Sequence, residues 1–204
     1  VRVERIDIER AEVIAASGEA EKYDALVLAT GSRPVIPDME GIRRLDGGLK
    51  DGVFVFRTID DCDRIGECAD RAQRAVVIGG GLLGLEAAFG LLKRGLEVHI
   101  VHLMPHVMES QLDVAAGTIL RRQLERMGLH LHFEKKTTAI LGNAHVSGVA
   151  FDEGNSFECD MVVIAAGIRP NVDLAHRASI PVRNGVLVGD DLASPIGRGV
   201  HAVG

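Results

Sequence analysis

Three glycines at 79, 81 and 84 form the pattern G-x-G-x-x-G, and the chemistry that spacing offers is anion binding by backbone. The four apolar residues before it, Ala75-Val76-Val77-Ile78, suit a strand covered on both faces. Leu82-Leu83-Gly84-Leu85-Glu86-Ala87-Ala88 after it has the composition of a helix. At such a turn Gly79 permits the tight bend, Gly81 lets the backbone approach a pyrophosphate, and Gly84 lets the helix pack close on the sheet. The first free N–H groups, at Gly80, Gly81, Leu82 and Leu83, then face the phosphates of a bound dinucleotide. A glycine-rich turn without a ligand is the alternative reading.

The acidic residue that usually receives the adenosine ribose hydroxyls belongs about 20 residues past the glycines. His102 stands there. An imidazole can hydrogen-bond a ribose hydroxyl, and as imidazolium it can tolerate a 2′-phosphate, so NADH and NADPH both stay open. The absence of Arg and Lys from Leu96 to Gln111 tilts the balance slightly toward NADH. His130 and His132 share one strand face, but no third ligand of suitable type lies near them in the sequence. Alternation accounts for them as a polar face, and no metal site is expected. Nor does any residue have the setting of a nucleophile or general acid, so no catalytic side chain is expected. That suits hydride transfer, in which cofactors carry the chemistry and the protein supplies position and electrostatics.

These residues need a parallel sheet to position them. Alternating pieces from Val1 to Ala20, turning at Ser17-Gly18, predict a small hairpin. Tyr23 to Gly31 reads as a buried parallel strand, with Ser32-Arg33-Pro34 and Pro37 forcing an extended exit. Gly41 to Gly52 is loop, Val53 to Phe56 a short strand, and Thr58-Ile59-Asp60-Asp61 has the spacing of a helix start. Beyond the central strand and its helix, Gly95 marks a C-cap and Glu97 to His102 a second strand, closing a strand-helix-strand unit of about 30 residues. Asp113 is the expected N-cap of the next helix, with Ala116, Ile119, Leu120, Leu124 and Met127 at helical spacing and Gly128 at its end. Leu129, Leu131 and Phe133 predict a third strand. Val146 to Phe151 and Ser156 to Glu158 predict an antiparallel hairpin that feeds Met161 to Gly167. Two apolar strands end alike, in Ala29-Thr30-Gly31-Ser32-Arg33-Pro34 and Ala165-Ala166-Gly167-Ile168-Arg169-Pro170, as an internal repeat of a whole domain would.

Composition excludes several classes of partner. A chain of 204 residues with 47% apolar and 25% charged residues can bury a core. A net charge of -6, one Tyr and no Trp argue against nucleic acid and against an anionic membrane surface. No apolar run approaches the roughly 18 residues of a membrane span. Cys62, Cys68 and Cys159 form no C-x-x-C pair, which fits a reducing, cytoplasmic setting. Both ends read as cut from a longer chain.

The paired strand ends and the glycine motif together resemble the FAD-dependent pyridine-nucleotide oxidoreductases, over essentially the whole chain. The resemblance implies an α/β fold: a Rossmann-like NAD(P)-binding domain, with a three-layer parallel sheet and an antiparallel β-hairpin, inserted in an FAD-binding domain that is truncated here. Residues 1–56 would end the first FAD segment, 57–180 would form the NAD(P) domain, and 181–204 would begin the return. Three phrases narrow the match. Phe56-Arg57-Thr58-Ile59-Asp60-Asp61, Val101-His102-Leu103-Met104-Pro105 and Met108-Glu109-Ser110-Gln111-Leu112-Asp113 look like the large subunit of assimilatory NAD(P)H nitrite reductases.

On that resemblance electrons pass from NAD(P)H to FAD, then to iron–sulfur and sirohaem centres further along the full-length protein, and to nitrite, reduced to ammonia. It also implies downstream redox domains or a small subunit as partners, and a homodimer. Ala29, Thr30 and Gly31 would serve FAD, Ala166 and Gly167 would line the mouth of the nucleotide cleft, and Glu86 would sit near the nicotinamide carboxamide. For Glu86 a carboxylate favoured by the helix dipole is the alternative. His201-Ala202-Val203-Gly204 looks like the second FAD motif, with its acidic residue the next one along, and the first FAD fingerprint would precede Val1. Poor FAD binding is therefore expected of these residues alone. Val188-Gly189-Asp190-Asp191 mimics that motif but matches an ordinary strand end. Two other readings stay open: an NAD(P)H-dependent ferredoxin or rubredoxin reductase, and a non-catalytic nucleotide-sensing module.

Overall fold

The computed structural model describes residues 1–204, which form two units, Val1–Arg33 with Ile168–Gly204, and Pro34–Gly167. In the first unit the alternating start folds back on itself. β1 (Val3–Asp7), β2 (Glu12–Ala15) and β3 (Ala20–Lys22) make an antiparallel meander, closed at Ser17-Gly18 by a 2.9 Å bond from Gly18 N–H to the Ala15 carbonyl. β4 (Leu26–Leu28) and β5 (Ser32–Pro34) follow.

The second unit is built on a five-stranded parallel sheet. Its elements in order are β6 (Val53–Val55), α1 (Ile59–Ala69), β7 (Arg74–Ile78), α2 (Leu82–Lys93), β8 (Glu97–Val101), α3 (Val114–Arg126), β9 (His130–His132), β10 (Thr137–Leu141), β11 (Gly148–Phe151), β12 (Ser156–Glu158) and β13 (Met161–Ile164). The sheet order is β6-β13-β7-β8-β9, with every pairing parallel. All of Ala75 to Ile78 and Met161 to Ile164 are buried, as uninterrupted apolar runs require when both faces are covered. One face, with Ala75, Val77, Val98, Ile100 and Val163, packs on the helices through Ala88, Leu91 and Leu124. The other, with Val76, Ile78, Val101 and Val162, packs on Met39, Ile42, Ile140 and Val149. The result is three layers: helices, parallel sheet, and an antiparallel meander β10-β11-β12.

Three local details differ from the sequence reading. The hairpin is a three-stranded meander, because Thr137–Leu141 adds a strand paired antiparallel with β11. On α3 the buried line runs through Gly117 and Leu124, and Ile119 and Met127 turn outward at 69% and 38% exposure. The units divide after Arg33 and Gly167, where the sequence reading drew its lines at 56/57 and near 180. The segment after Pro34 belongs with the sheet because Met39 and Ile42 are buried against it and Glu40 bridges to Ala139.

Helix α1 begins in a reciprocal cap. Asp61 N–H donates to the Thr58 hydroxyl at 3.2 Å, and Thr58 N–H donates to the Asp61 carboxylate at 2.9 Å. Arg57 N–H and the Arg64 guanidinium also donate to that carboxylate, at 3.2 and 2.7 Å. Burial pushes the Asp61 carboxyl up, but the bonds from Thr58 and Arg57 and the Arg64 charge outweigh it and hold it below the ordinary 3.8. A group depressed in the folded state stabilises the fold above its unfolded pKa and loses that contribution as pH falls through the folded one. Asp61→Asn is therefore expected to cost about 1–2 kcal/mol at pH 7. In urea melts, the gap between wild type and variant should close as pH drops below 3.8.

β14 (Ile168–Pro170), α4 (Asp173–Arg177) and β15 (Val200–Ala202) complete the first unit, where β14 pairs with β5 and β15 runs parallel to β4. Ile6, Leu28, Ala175, Ile180, Val200 and Ala202 form its core, which is why residues 168–180 belong here. Leu28 points inward, while Val27 on the opposite face is 57% exposed; the run Tyr23 to Gly31 is covered on one face only. Val188 to Asp191 is a turn rather than a strand end, held by Leu192 N–H to the Gly189 carbonyl at 2.9 Å and by Ala193 N–H to Asp191 Oδ1 at 3.0 Å.

Candidate functional site

The sheet order reverses between β7 and β13, since β7 continues to β8 on one side while β13 lies on the other. Doubly wound sheets bind ligands in the crevice at the carboxyl ends of the strands at such a point. Here the glycine turn abuts the end of β13. Gly79 has φ +120°, and a Cβ on it would lie 2.2 Å from the Ala165 carbonyl oxygen. A Cβ on Gly84 would lie 2.0 Å from the Gly79 oxygen, so α2 packs on the turn with no room for a methyl. Ala166 and Gly167 follow at the same end of the sheet, and Gly167 accepts a hydrogen bond from Val35 N–H at 2.9 Å.

Gly81 is different. Its backbone is extended (φ −80°, ψ −179°), and a Cβ there would meet nothing within 4 Å. Nothing in this chain demands a glycine at 81. Helix α2 also lacks a capping side chain, whereas α1 and α3 are capped by Thr58 and Asp113. A helix N-terminus with uncapped N–H groups and an approach clear of side chains fits the pyrophosphate of a dinucleotide. Leu82 and Leu83 sit exposed on this first turn. Glu86 is exposed too and lies in the second turn, beyond the reach of the dipole effect, which fades within the first.

His102 is buried at the end of β8, at 7% exposure. Gly80 N–H donates to its Nδ1 at 3.0 Å, and its Nε2 lies 2.9 Å from Glu109 Oε2. Because Nδ1 accepts, the proton of the neutral ring sits on Nε2 and is donated to Glu109. Met108 N–H closes the clamp by donating to the Gly80 carbonyl at 3.0 Å. Gly80 is itself tightly enclosed, since a Cβ would lie 2.9 Å from His102 Cγ and 3.2 Å from Val107 Cγ1. His102 thus holds the glycine turn through one nitrogen and presents Glu109 through the other. Sequence reasoning missed Glu109. The available signal was a carboxylate seven residues past the strand end where an acid was expected.

In the first unit, Thr30 Oγ1 donates to the Asn171 carbonyl at 2.7 Å and Asn171 Nδ2 donates to the Thr30 carbonyl at 2.9 Å. Ala29, Thr30 and Gly31 are exposed at the end of β4, and Gly204 lies just past its neighbour β15. A Cβ on either Gly31 or Gly204 would meet open space, at φ +63° and +127°.

A cleft of about 880 Å³ bordered by Lys50, Asp51, Val53, Arg71 and Asp160 opens at the amino ends of β6 and β13, the end of the sheet opposite the glycine turn. The cysteines are single and free: Cys62 exposed, Cys68 half-buried, and Cys159 buried with its thiol pushed up to about 12 by burial. No helix is long and apolar enough to cross a membrane.

The nitrite reductase (NAD(P)H) of Bacillus subtilis is 43% identical over 200 residues, 98% of this chain and 24% of that protein. A rubredoxin-NAD(+) reductase of Pseudomonas putida is 31% identical over 98% of this chain and 50% of its own length. This chain thus spans a quarter to a half of these relatives. Among solved structures, a ferredoxin reductase from Rhodopseudomonas palustris superposes with a TM-score of 0.90 at 31% identity, covering all of this chain and 49% of that one. The model of one family, "Pyridine nucleotide-disulphide oxidoreductase", matches residues 1–204 from end to end. With the glycine turn at the switch point of a parallel sheet, these matches establish that the chain belongs to the pyridine nucleotide-disulphide oxidoreductase family.

Proposed function

We propose that this chain is the NAD(P)H-binding electron-input part of a flavoprotein oxidoreductase whose full-length form reduces nitrite to ammonia. The observation that carries it is Gly81, at an uncapped helix N-terminus where a Cβ would meet nothing in the chain and would stand in a ligand's approach. In this reading Gly79 to Gly84 hold the pyrophosphate, Ala166 and Gly167 border the crevice, and Glu86 faces the nicotinamide end. Ala29, Thr30, Gly31 and Gly204 belong to the FAD side. The bound dinucleotide supplies a hydride, and FAD accepts it. In this reading no side chain needs to move a proton, and His102 and Glu109 serve to position the turn and the ribose.

His102, with both nitrogens engaged, leaves the ribose to Glu109, whose carboxylate has a second oxygen and is a third exposed. A carboxylate accepts the ribose hydroxyls and repels a 2′-phosphate, so NADH is the preferred donor. Glu109→Gln should raise kcat/KM for NADPH relative to NADH by about tenfold, or 1.4 kcal/mol; an unchanged ratio counts against this role.

The likeness to rubredoxin-NAD(+) reductase supports a second reading, in which the acceptor is a small iron–sulfur protein. Assaying the full-length protein with NADH separates the two: nitrite-dependent NADH oxidation with ammonia formed supports the first, and rubredoxin reduction without nitrite turnover replaces it.

A further inference from the structure

Strands β8 and β9 pair with His99 opposite His130 and Val101 opposite His132. This register gathers four polar side chains on one sheet face, of which the sequence showed only His130 and His132 as a group. Glu97 and His99 are the missing neighbours. The His99 ring is 6% exposed, stacks on His130 with centroids 4.5 Å apart, and is covered by Phe157 of β12 at 4.0 Å. Its Nε2 lies 3.0 Å from Glu97 Oε1 and its Nδ1 lies 2.9 Å from His132 Nε2. One ligand atom from each of Glu97, His99 and His130 falls within 4.8 Å of the other two.

We infer that Glu97, His99 and His130 form a binding site for a divalent transition metal of the zinc class, with His132 orienting His99. Two imidazoles and a carboxylate suit zinc better than calcium or magnesium, which take oxygen sets. Zinc–ligand bonds of about 2.0–2.2 Å in a tetrahedron put neighbouring ligand atoms roughly 3.3–3.6 Å apart. The Glu97–His99 separation of 3.0 Å is already near that, and His130 and Glu97 are exposed, so their side chains can close the remaining gap. With metal on His99 Nε2, the ring proton sits on Nδ1 and is donated to His132 Nε2, the outer bond that metal-bound histidines usually make.

The site is centred on His99, three residues before His102 on the same chain, roughly 10 Å away at about 3.3 Å per residue, and His102 N–H donates to the His132 carbonyl at 2.8 Å. It borders the nucleotide cradle but shares none of its three ligand side chains with it. Its evident effect is to tie the three-residue edge strand β9 to β8, since an edge strand pairs on one side only.

Equilibrium dialysis of the full-length protein against zinc ion alone, with bound metal counted, tests this. Wild type and His176→Asn, which alters an exposed histidine on α4, should each take up one more zinc per chain at micromolar concentration than Glu97→Gln or His130→Asn. Both site variants should bind that zinc roughly tenfold or more weakly. Both substitutions are on exposed side chains, so thermal melts without zinc should match wild type. Equal zinc uptake by wild type and the two site variants overturns the assignment.

Discussion

Gly81→Ala will leave the fold at wild-type stability and weaken NAD(P)H binding by about one to two orders of magnitude. The backbone at 81 is extended, and the new methyl would meet nothing within 4 Å. Two small effects act on folding in opposite directions: alanine is a poorer N-cap than glycine, and it lowers the entropy of the unfolded chain. Each is below about 1 kcal/mol, so they nearly cancel. Binding has no such cancellation. The methyl occupies the approach of the pyrophosphate to the α2 N–H groups, and hydrogen bonds to a charged group are worth about 1.5–3 kcal/mol each. A thermal melt beside a nucleotide titration reads both effects. A variant that melts early, or that binds NAD(P)H like wild type, contradicts the role of Gly81.

Gly84→Ala should do the reverse, with loss of stability first. Its Cβ would lie 2.0 Å from the Gly79 oxygen and 3.0 Å from the Gly79 carbonyl carbon. Both are backbone atoms of a turn that is itself pressed against Ala165, so no flexible side chain can yield. Helix α2 must lift, opening its packing through Ala87, Ala88 and Leu91. Overpacking of a close-packed core costs about 1–3 kcal/mol and occasionally more; with backbone on both sides, about 3 kcal/mol is expected. Urea unfolding checks this. A loss below about 1 kcal/mol would show that α2 accommodates a methyl, and the contact would then not be rigid.

The contrast between these neighbouring glycines explains what the sequence could reveal. The fingerprint, the strand-helix-strand unit and the caps at Thr58–Asp61 and Asp113 are local, set by residues within a few positions, and the structure has them where the spacing put them. Features that depend on register or on a distant layer were not legible. Val27 reads as a buried strand residue, yet it is exposed because cover on its second face is a property of neighbouring layers. Thr137–Leu141 carries only a short alternation and becomes a strand through pairing with β11. The break after Arg33 follows from Met39 and Ile42 burying on the sheet, which no composition shift announces.

At the site itself the same division holds. The roles of Gly79 and Gly84 in the turn and in packing are visible as steric limits. His102 stands at the strand end where the spacing put it, and what the sequence did not show is that Glu109 returns to its ring from seven residues onward through Met108, whose φ is +56°. Glu97 and His99 are 31 or more residues from His130, and only the parallel pairing of β8 and β9 brings them together.

The central claim is that the glycine turn delivers NAD(P)H to a flavin. Anaerobic titration of the FAD-loaded full-length protein with NADH, followed by the flavin's visible absorbance, tests it most directly. In the wild type NADH should be oxidised and the flavin bleached once the centres it feeds have taken their share of the electrons, and Gly81→Ala should need far more NADH to reach the same point. A flavin that keeps its colour while NADH binds would contradict hydride transfer and leave a nucleotide-sensing module as the reading of this fold.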